Sequence, residues 1–278
     1  TAEDENPTGF EPPRLVPVVL ADQSVDGLFA DGPDVLRGGD NTDWLFGGGD
    51  QDDLDGGAGS DYVDGGAGHD NVRGGSGEDI VRGGANNDVV HGDDDRDLVF
   101  GDGGTDHVFG DAGTGTLLAG QRLWGDDGID YLYAYAPEFV GTAQRGDELH
   151  GGAGGDWLYG NIRQEILIGG AGNDTIVGDK LIGPNYADNP AAATDGADDL
   201  LLGDSGEDKL YGGGGNDALW GGPDSDQLEG QDGADALYGG SWIDVMILDT
   251  NRDFTGAGDI FDGHFGERPG DNTPDDNA

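Results

Sequence analysis

The stretch GGAGSDYVD-GGAGHDNVR-GGSGEDIVR-GGANNDVVH, residues 56–91, repeats one pattern every nine residues. Each frame opens on glycine, carries an acid or its mimic in a fixed phase, and closes on a short β-prone triplet. Working outward, the frames continue without a gap from Phe29 to Leu118. Their sixth place is Asp34, Asp43, Asp52, Asp61, Asp70, Asp79, Asp88, Asp97 and Asp106, then Gly115. Their eighth place is always aliphatic: Leu36, Leu45, Leu54, Val63, Val72, Val81, Val90, Val99, Val108 and Leu117. A net charge of -47 with 34% hydrophobic residues is the composition of a disordered chain. Disorder, however, does not hold Asp and an aliphatic residue in phase over so long a run, so the repeats predict an ordered solenoid.

The phase breaks after Leu118 and returns. Gly125–Tyr133 is a full frame with Asp130, and after an insertion at Ala134–Gln144 the pattern resumes at Asp147 and Leu149. Gly151–Tyr159 carries Asp156, Gly160–Ile168 keeps the length but reads GNIRQEILI, and Gly169–Val177 carries Asp174. A second insertion spans Lys180–Ala193. From Thr194 to Ile247 the frames carry Asp199, Asp208, Asp217, Asp226, Asp235 and Asp244, with a faint echo at Asp253 and Asp262. The expected organisation is a proline-rich extension over 1–28, a first repeat block over 29–118, irregular repeats over 119–193, a second block over 194–247, and a cap with a polar tail over 248–278. Within the extension, Val16–Leu20 offers one edge or capping strand.

Within a frame, Gly, Asp and Asn in the first six places suit tight turns with positive φ. The last three places, such as Tyr62-Val63-Asp64, suit a very short strand. Alternation then points the eighth side chain inward and the seventh and ninth outward. Two frames make one coil with a strand on each side, and stacked coils pair those strands in parallel at ~4.8 Å. The predicted fold is all-β, a right-handed parallel β-roll. Its stacking aligns Asp52, Asp70 and Asp88 on one edge and Asp61, Asp79 and Asp97 on the other. Carboxylates ~5 Å apart repel by roughly 3 kcal/mol at an effective dielectric near 20, so a cation must lie between them. Hard oxygen ligands from carboxylates and turn carbonyls suit Ca²⁺, whereas Mg²⁺ demands a stricter octahedron and Zn²⁺ wants Cys or His. The chain has no Cys, and His69, His91, His107, His150 and His264 form no ligand spacing.

The frames resemble the RTX, or hemolysin-type, calcium-binding nonapeptide G-G-x-G-x-D-x-U-x, over roughly residues 29–247. That resemblance implies export unfolded through a type I channel, folding on external calcium, and side-chain ligands from the sixth-place Asp residues, from Asp34 through Asp244. It further implies backbone ligands from turn carbonyls such as those of Gly57, Gly59, Gly66, Gly68, Gly75, Gly77, Gly213 and Gly215. Gly115 and Glu165 stand where the family has Asp, so those rungs are expected to lack metal. No C-terminal secretion signal of the family is evident. The chain starts at Thr1 without a signal peptide, which leaves a processed product, a fragment, or cargo of a route lacking an N-terminal signal.

The acidity excludes a nucleic-acid partner, since no basic patch exists to displace counterions, and disfavours anionic membrane surfaces. No apolar run reaches the roughly 20 residues of a membrane span. HExxH, GxSxG and P-loop patterns are absent, and adjacent acids such as Asp93-Asp94-Asp95 read as turn residues, so no enzyme is expected. After Asp97 the outward places turn apolar: Leu98, Phe100, Phe109, Leu118, Trp124, Tyr131, Tyr133, Trp157, Tyr159, Ile166, Ile168, Val177, Leu200, Leu202, Tyr211, Trp220, Tyr238, Val245 and Ile247. Either the insertions cover them, or residues 98–247 carry a surface for self-association or a partner. Three roles stay open: a secreted or cell-surface structural or adhesive protein, such as a self-assembling surface-layer or filament subunit; the non-catalytic calcium-binding region of a larger secreted enzyme or toxin; and a carbohydrate-binding module.

Overall fold

The structure, a computed structural model, describes residues 32–110, 120–134, 145–161, 163–179, 196–247 and 260–263. These form strands β1 (Val35–Asp40) through β22 (Ile260–Gly263), and every one of them belongs to one of two 11-stranded sheets. Odd-numbered strands make one sheet and even-numbered strands the other, so each strand pairs in parallel with the strand one coil away. Thus β3 (Asp53–Ala58) follows β1 in register Leu36↔Leu54, while β2 (Trp44–Gly49) and β4 (Tyr62–Ala67) pair as Leu45↔Val63 on the opposite wall. This is the parallel β-solenoid expected from the nine-residue period.

The eighth-place residues fill the space between the walls. Leu45, Leu54, Val63, Val72, Val81, Val90, Val99 and Val108 are all 0% exposed, as are Leu201, Leu210, Leu219 and Leu228 in the second block. One such side chain per strand is the whole width of the core.

One expectation needs correction. The strands are longer than a triplet: most run through the first three places of the following frame, as in β3 and β4, because the glycine segments pair across coils as well (Gly39↔Gly57, Gly48↔Gly66). Residues 111–119, with the sixth-place Gly115, lie outside the described part, and past them the wall is continued by β10 (Arg122–Gly128), with Val99↔Leu123 and Phe100↔Trp124. Gln121 therefore takes a sixth place that the forward count did not reach. The frame GNIRQEILI keeps the pairing as well as the length: β14 (Gln164–Ala171) pairs on both sides, Leu149↔Leu167 and Leu167↔Leu201. The extension over 1–28 and, apart from Ala134, both insertions lie outside the described residues. Of the tail, Ile260–Gly263 continues the even sheet by pairing with β20 (Ala236–Gly240).

The outward aromatics cover one another rather than standing free. Rings one coil apart stack in files: His91–Phe109 at 4.6 Å, Phe109–Tyr133 at 4.8 Å and Tyr133–Tyr159 at 5.2 Å. A second file joins Phe100 to Trp124 at 4.7 Å and Trp124 to His150 at 5.4 Å. Two residues expected to point into solvent are buried, Tyr159 and Val177. Tyr159 lies against Tyr133 and Trp157, and Val177 is flanked in register by the larger Tyr159 and Tyr211.

The first glycine of each frame is set by crowding. A Cβ on Gly65 would lie 2.5 Å from the Gly83 carbonyl oxygen and 2.7 Å from Asp70 Oδ2, whereas at Gly49 the nearest atom, the Ala67 carbonyl oxygen, is 3.9 Å away. Gly65→Ala is expected to cost about 1–3 kcal/mol of overpacking, read as a lower melting temperature in saturating calcium, and Gly49→Ala to leave it nearly unchanged.

Candidate metal centre

The sixth-place side chains turn back under the glycine turns and are taken out of water. On the odd edge Asp52, Asp70, Asp88, Asp106, Asp130, Asp156, Asp174, Asp208 and Asp226 are 0–2% exposed. Each is tied to its neighbour by the backbone: the Asp52 amide donates to Asp70 Oδ1 at 2.8 Å and the Asp70 amide to Asp88 Oδ1 at 2.8 Å. The same link runs unbroken from the Asp34 amide to Asp244 Oδ1, even where an insertion lengthens the coil to 24, 26 or 34 residues. On the even edge it joins Asp43, Asp61, Asp79 and Asp97, and later Asp199, Asp217 and Asp235.

The second oxygen is the anomaly. Oδ2 of Asp52, Asp70, Asp88, Asp106, Asp130, Asp156, Asp174, Asp208, Asp226 and Asp244 is buried without a hydrogen-bond partner, and so is that of Asp43, Asp61, Asp79, Asp199 and Asp217 on the even edge. A buried anionic oxygen without a partner is among the costliest arrangements a fold can hold. Desolvation accordingly drives the carboxyls of Asp79, Asp88, Asp106, Asp130, Asp156, Asp174, Asp208 and Asp226 up to about 7, and that of Asp217 to about 8. Orphaned oxygens in file, with no nitrogen or sulfur among them, fit a column of hard cations.

The glycines singled out for their carbonyls occupy the second and fourth places of the turns. Gly59 (φ 151°) and Gly77 (φ 122°) hold a backbone that other residues seldom adopt. Where glycine is absent the substitute is mostly Asn or Asp, as at Asn41, Asp50, Asn86 and Asp95, the side chains best able to follow.

The middle of the even edge departs from the ladder in an informative way. Gln121, neutral, takes the place of an Asp. Its amide nitrogen donates to the carbonyls of Asp93 (3.0 Å) and Asp95 (3.2 Å), the second and fourth places of the preceding turn. At the next rung Asp147 does not have an orphaned oxygen: Arg163 Nη2 lies 3.1 Å from its Oδ2, and both side chains are 0% exposed. An N–H donor thus stands at each of these two rungs. One rung further, Glu165 keeps a carboxylate on the edge, and its amide donates to Asp199 Oδ1 at 2.8 Å. Glu165 also lies beside Asp179 and Asp199, the only group of three or more carboxylates close enough to share one ion among the described residues. Asp179 carried no signal in the sequence, since several other second places hold Asp. Gln121 was reachable by counting backward from Gly125.

A family model described as the RTX calcium-binding nonapeptide repeat matches residues 30–63, 49–81, 64–99, 82–117, 144–162, 159–180, 194–228 and 219–241. The chain belongs to the RTX calcium-binding nonapeptide repeat family. Comparison with curated proteins finds no match. The matched segments of this RTX chain cover most of the ladder, with Asp130 and Asp244 outside them, and the gaps between them span 118–143 and 181–193. No helix among the described residues is long and apolar enough to cross a membrane.

The raised carboxyls set a pH dependence for the metal-free chain. A carboxyl lifted from 3.8 to about 7 favours the folded state while protonated, so its contribution is complete below about 4 and is lost as pH rises through about 7. Metal-free protein followed by circular dichroism should show more β signal at about pH 5 than at about pH 8. The reverse order would contradict burial of the Asp ladder.

Proposed function

We propose that this RTX roll is a non-catalytic, calcium-folded structural module that works outside the cytoplasm. The observation that supports it is the pairing of two facts. Most regular rungs, those of Asp52, Asp70 and Asp88 among them, leave a buried Oδ2 without a donor, and at two rungs that break the pattern the chain brings N–H groups, from the Gln121 amide and the Arg163 guanidinium. On this reading the regular rungs take a cation, and calcium supplies it. The proposed side-chain ligands are the sixth-place Asp residues on both edges, with Asp147 neutralised by Arg163 instead. Second- and fourth-place carbonyls, including those of Gly57, Gly59, Gly66, Gly68, Gly75, Gly77, Gly213 and Gly215, complete the oxygen shell.

The location follows from affinity. Extracellular calcium modules bind at about 10⁻⁴–10⁻³ M, far above cytosolic free calcium, so such a chain stays unfolded until exported. A structural or adhesive role is favoured over a glycan-binding one because most outward rings are spent on stacking with each other. Trp220, 40% exposed and stacked on Tyr238 at 4.9 Å, remains available for contact with another chain. Placement as the calcium-binding region of a longer secreted enzyme is compatible with the same roll, and a catalytic domain in the same gene would favour it.

Removing metal at neutral pH should convert the circular dichroism spectrum to coil, and millimolar calcium should restore the β signal. Elemental analysis of the refolded chain should give roughly 11 or more calcium ions, one per same-edge Asp pair in the regular blocks. A spectrum indifferent to chelation, or about three ions or fewer, would refute the reading.

A further inference from the structure

One cluster is left unexplained by a ladder of one Asp per coil. Glu165, Asp179 and Asp199 each offer a carboxylate oxygen, and these oxygens lie within 4.8 Å of one another. The three residues are 0%, 2% and 3% exposed. Asp199 is held by the Glu165 amide on Oδ1 at 2.8 Å, and Asp179 by the Gly214 amide on Oδ2 at 2.8 Å. That leaves Asp199 Oδ2, Asp179 Oδ1 and both oxygens of Glu165 buried without a donor.

Arg163 favours the charged form of Glu165 but is also ion-paired with Asp147 at 3.1 Å, so one guanidinium stands against four carboxyls, Asp147, Glu165, Asp179 and Asp199. Burial, then the neighbouring Asp199 and Asp147, hold the Glu165 carboxyl well above its ordinary range. Burial, then Asp179 and Asp217, do the same to Asp199. The ligand set is oxygen only, which selects a hard divalent ion over zinc, and flexible carboxylates of unequal length suit calcium better than magnesium.

We propose that Glu165, Asp179 and Asp199 form a three-carboxylate site for one calcium ion, tighter than the ladder sites. The same ion staples the two ends of the second insertion to the coil before it. Asp179 closes the last residue run before the insertion, Asp199 opens the coil after it, and Glu165 lies at the start of β14 in the coil before. Joining them fixes both ends of a long loop in one step, which is where a cross-link gains most against chain entropy. Calcium affinity rises with the number of charged ligands, so this ion should be bound about 10- to 100-fold more tightly than the ladder ions. The inference rests on the reading that the chain binds calcium.

Equilibrium dialysis of the full chain against radioactive calcium tests it. The expected isotherm has one tight ion followed by the weaker ladder class. Glu165→Gln, isosteric and one charge poorer, should abolish the tight ion while the ladder ions and the calcium-restored β signal persist. Asp179→Asn should do the same, and because Asp179 lies outside the strands it reads the site without altering a sheet. Asp70→Asn should weaken the ladder class and leave the tight ion in place. Retention of the tight ion by both Glu165→Gln and Asp179→Asn, or a wild-type isotherm holding the ladder class alone, overturns the proposal. A chain that binds no calcium at all overturns the ladder reading with it, so the two failures are told apart.

Discussion

The carboxylate at the sixth place is satisfied on one oxygen and stranded on the other, and the rest of the roll depends on what neutralises it. A nine-residue frame buries one aliphatic side chain, a gain of about 1.5–3 kcal/mol. Ordering its backbone costs about 1–2 kcal/mol for each residue fixed. Hydrogen bonds between coils narrow the gap, yet each adds only about 0.5–1.5 kcal/mol net. A core this thin cannot also carry a file of desolvated anions. The net charge of -47 is thus a statement about the missing partner as much as about the chain.

The even edge shows how narrow the choice of partner is. Between Asp97 and Asp199 the chain tries an amide, a guanidinium and a longer carboxylate in successive coils, and the strand register passes through all of them undisturbed. Arg163 against Asp147 is an ion pair with no exposure on either side, and such pairs return little net stability against apolar packing. It gives the Asp147 carboxylate a counter-charge from within the chain. The odd edge has no such substitution from Asp52 to Asp244, so the two edges of one molecule differ in the donors they offer their carboxylates.

Most of the fold was legible because a fixed period forces a fixed architecture. Asp at the sixth place and Leu or Val at the eighth cannot both keep phase unless coils stack, and the residues named from that phase are the ones that line the edges and the core. What the period could not convey was anything that depends on skipping it. Gln121 sits 24 residues after Asp97, so its rung vanished from a forward count even though Leu123 and Trp124 follow it in the proper order. The aromatic files cross the same interruption, which is why Phe100, Trp124 and His150 read as separate exposed residues rather than one stack. Asp179 was hidden for a different reason. It occupies a turn place shared by many acids, and only its position opposite Gly212–Gly214 brings it to Glu165 and Asp199.

The linkage along each edge also determines how order spreads. Beyond Asp34 and Asp43, ladder carboxylates accept a hydrogen bond from the sixth-place amide one coil back, from Gln121 at Asp147 and from Glu165 at Asp199, so fixing one carboxylate fixes the turn before it. In a solenoid each coil touches only its neighbours, and stability is a sum of coil and interface contributions. An ion seated between two coils therefore stabilises the next pair by presenting it with an ordered Asp. The ends are where this transfer stops. Asp34 is only half-buried and Leu36 retains 6% exposure, while at the far end Val245 and Ile247 in the last odd strand are 55% and 37% exposed. Among the described residues the two walls close on β21 (Val245–Ile247) and β22, eleven strands each. The weakest coil is the one with a neighbour on one side only, because it gains one interface where an inner coil gains two.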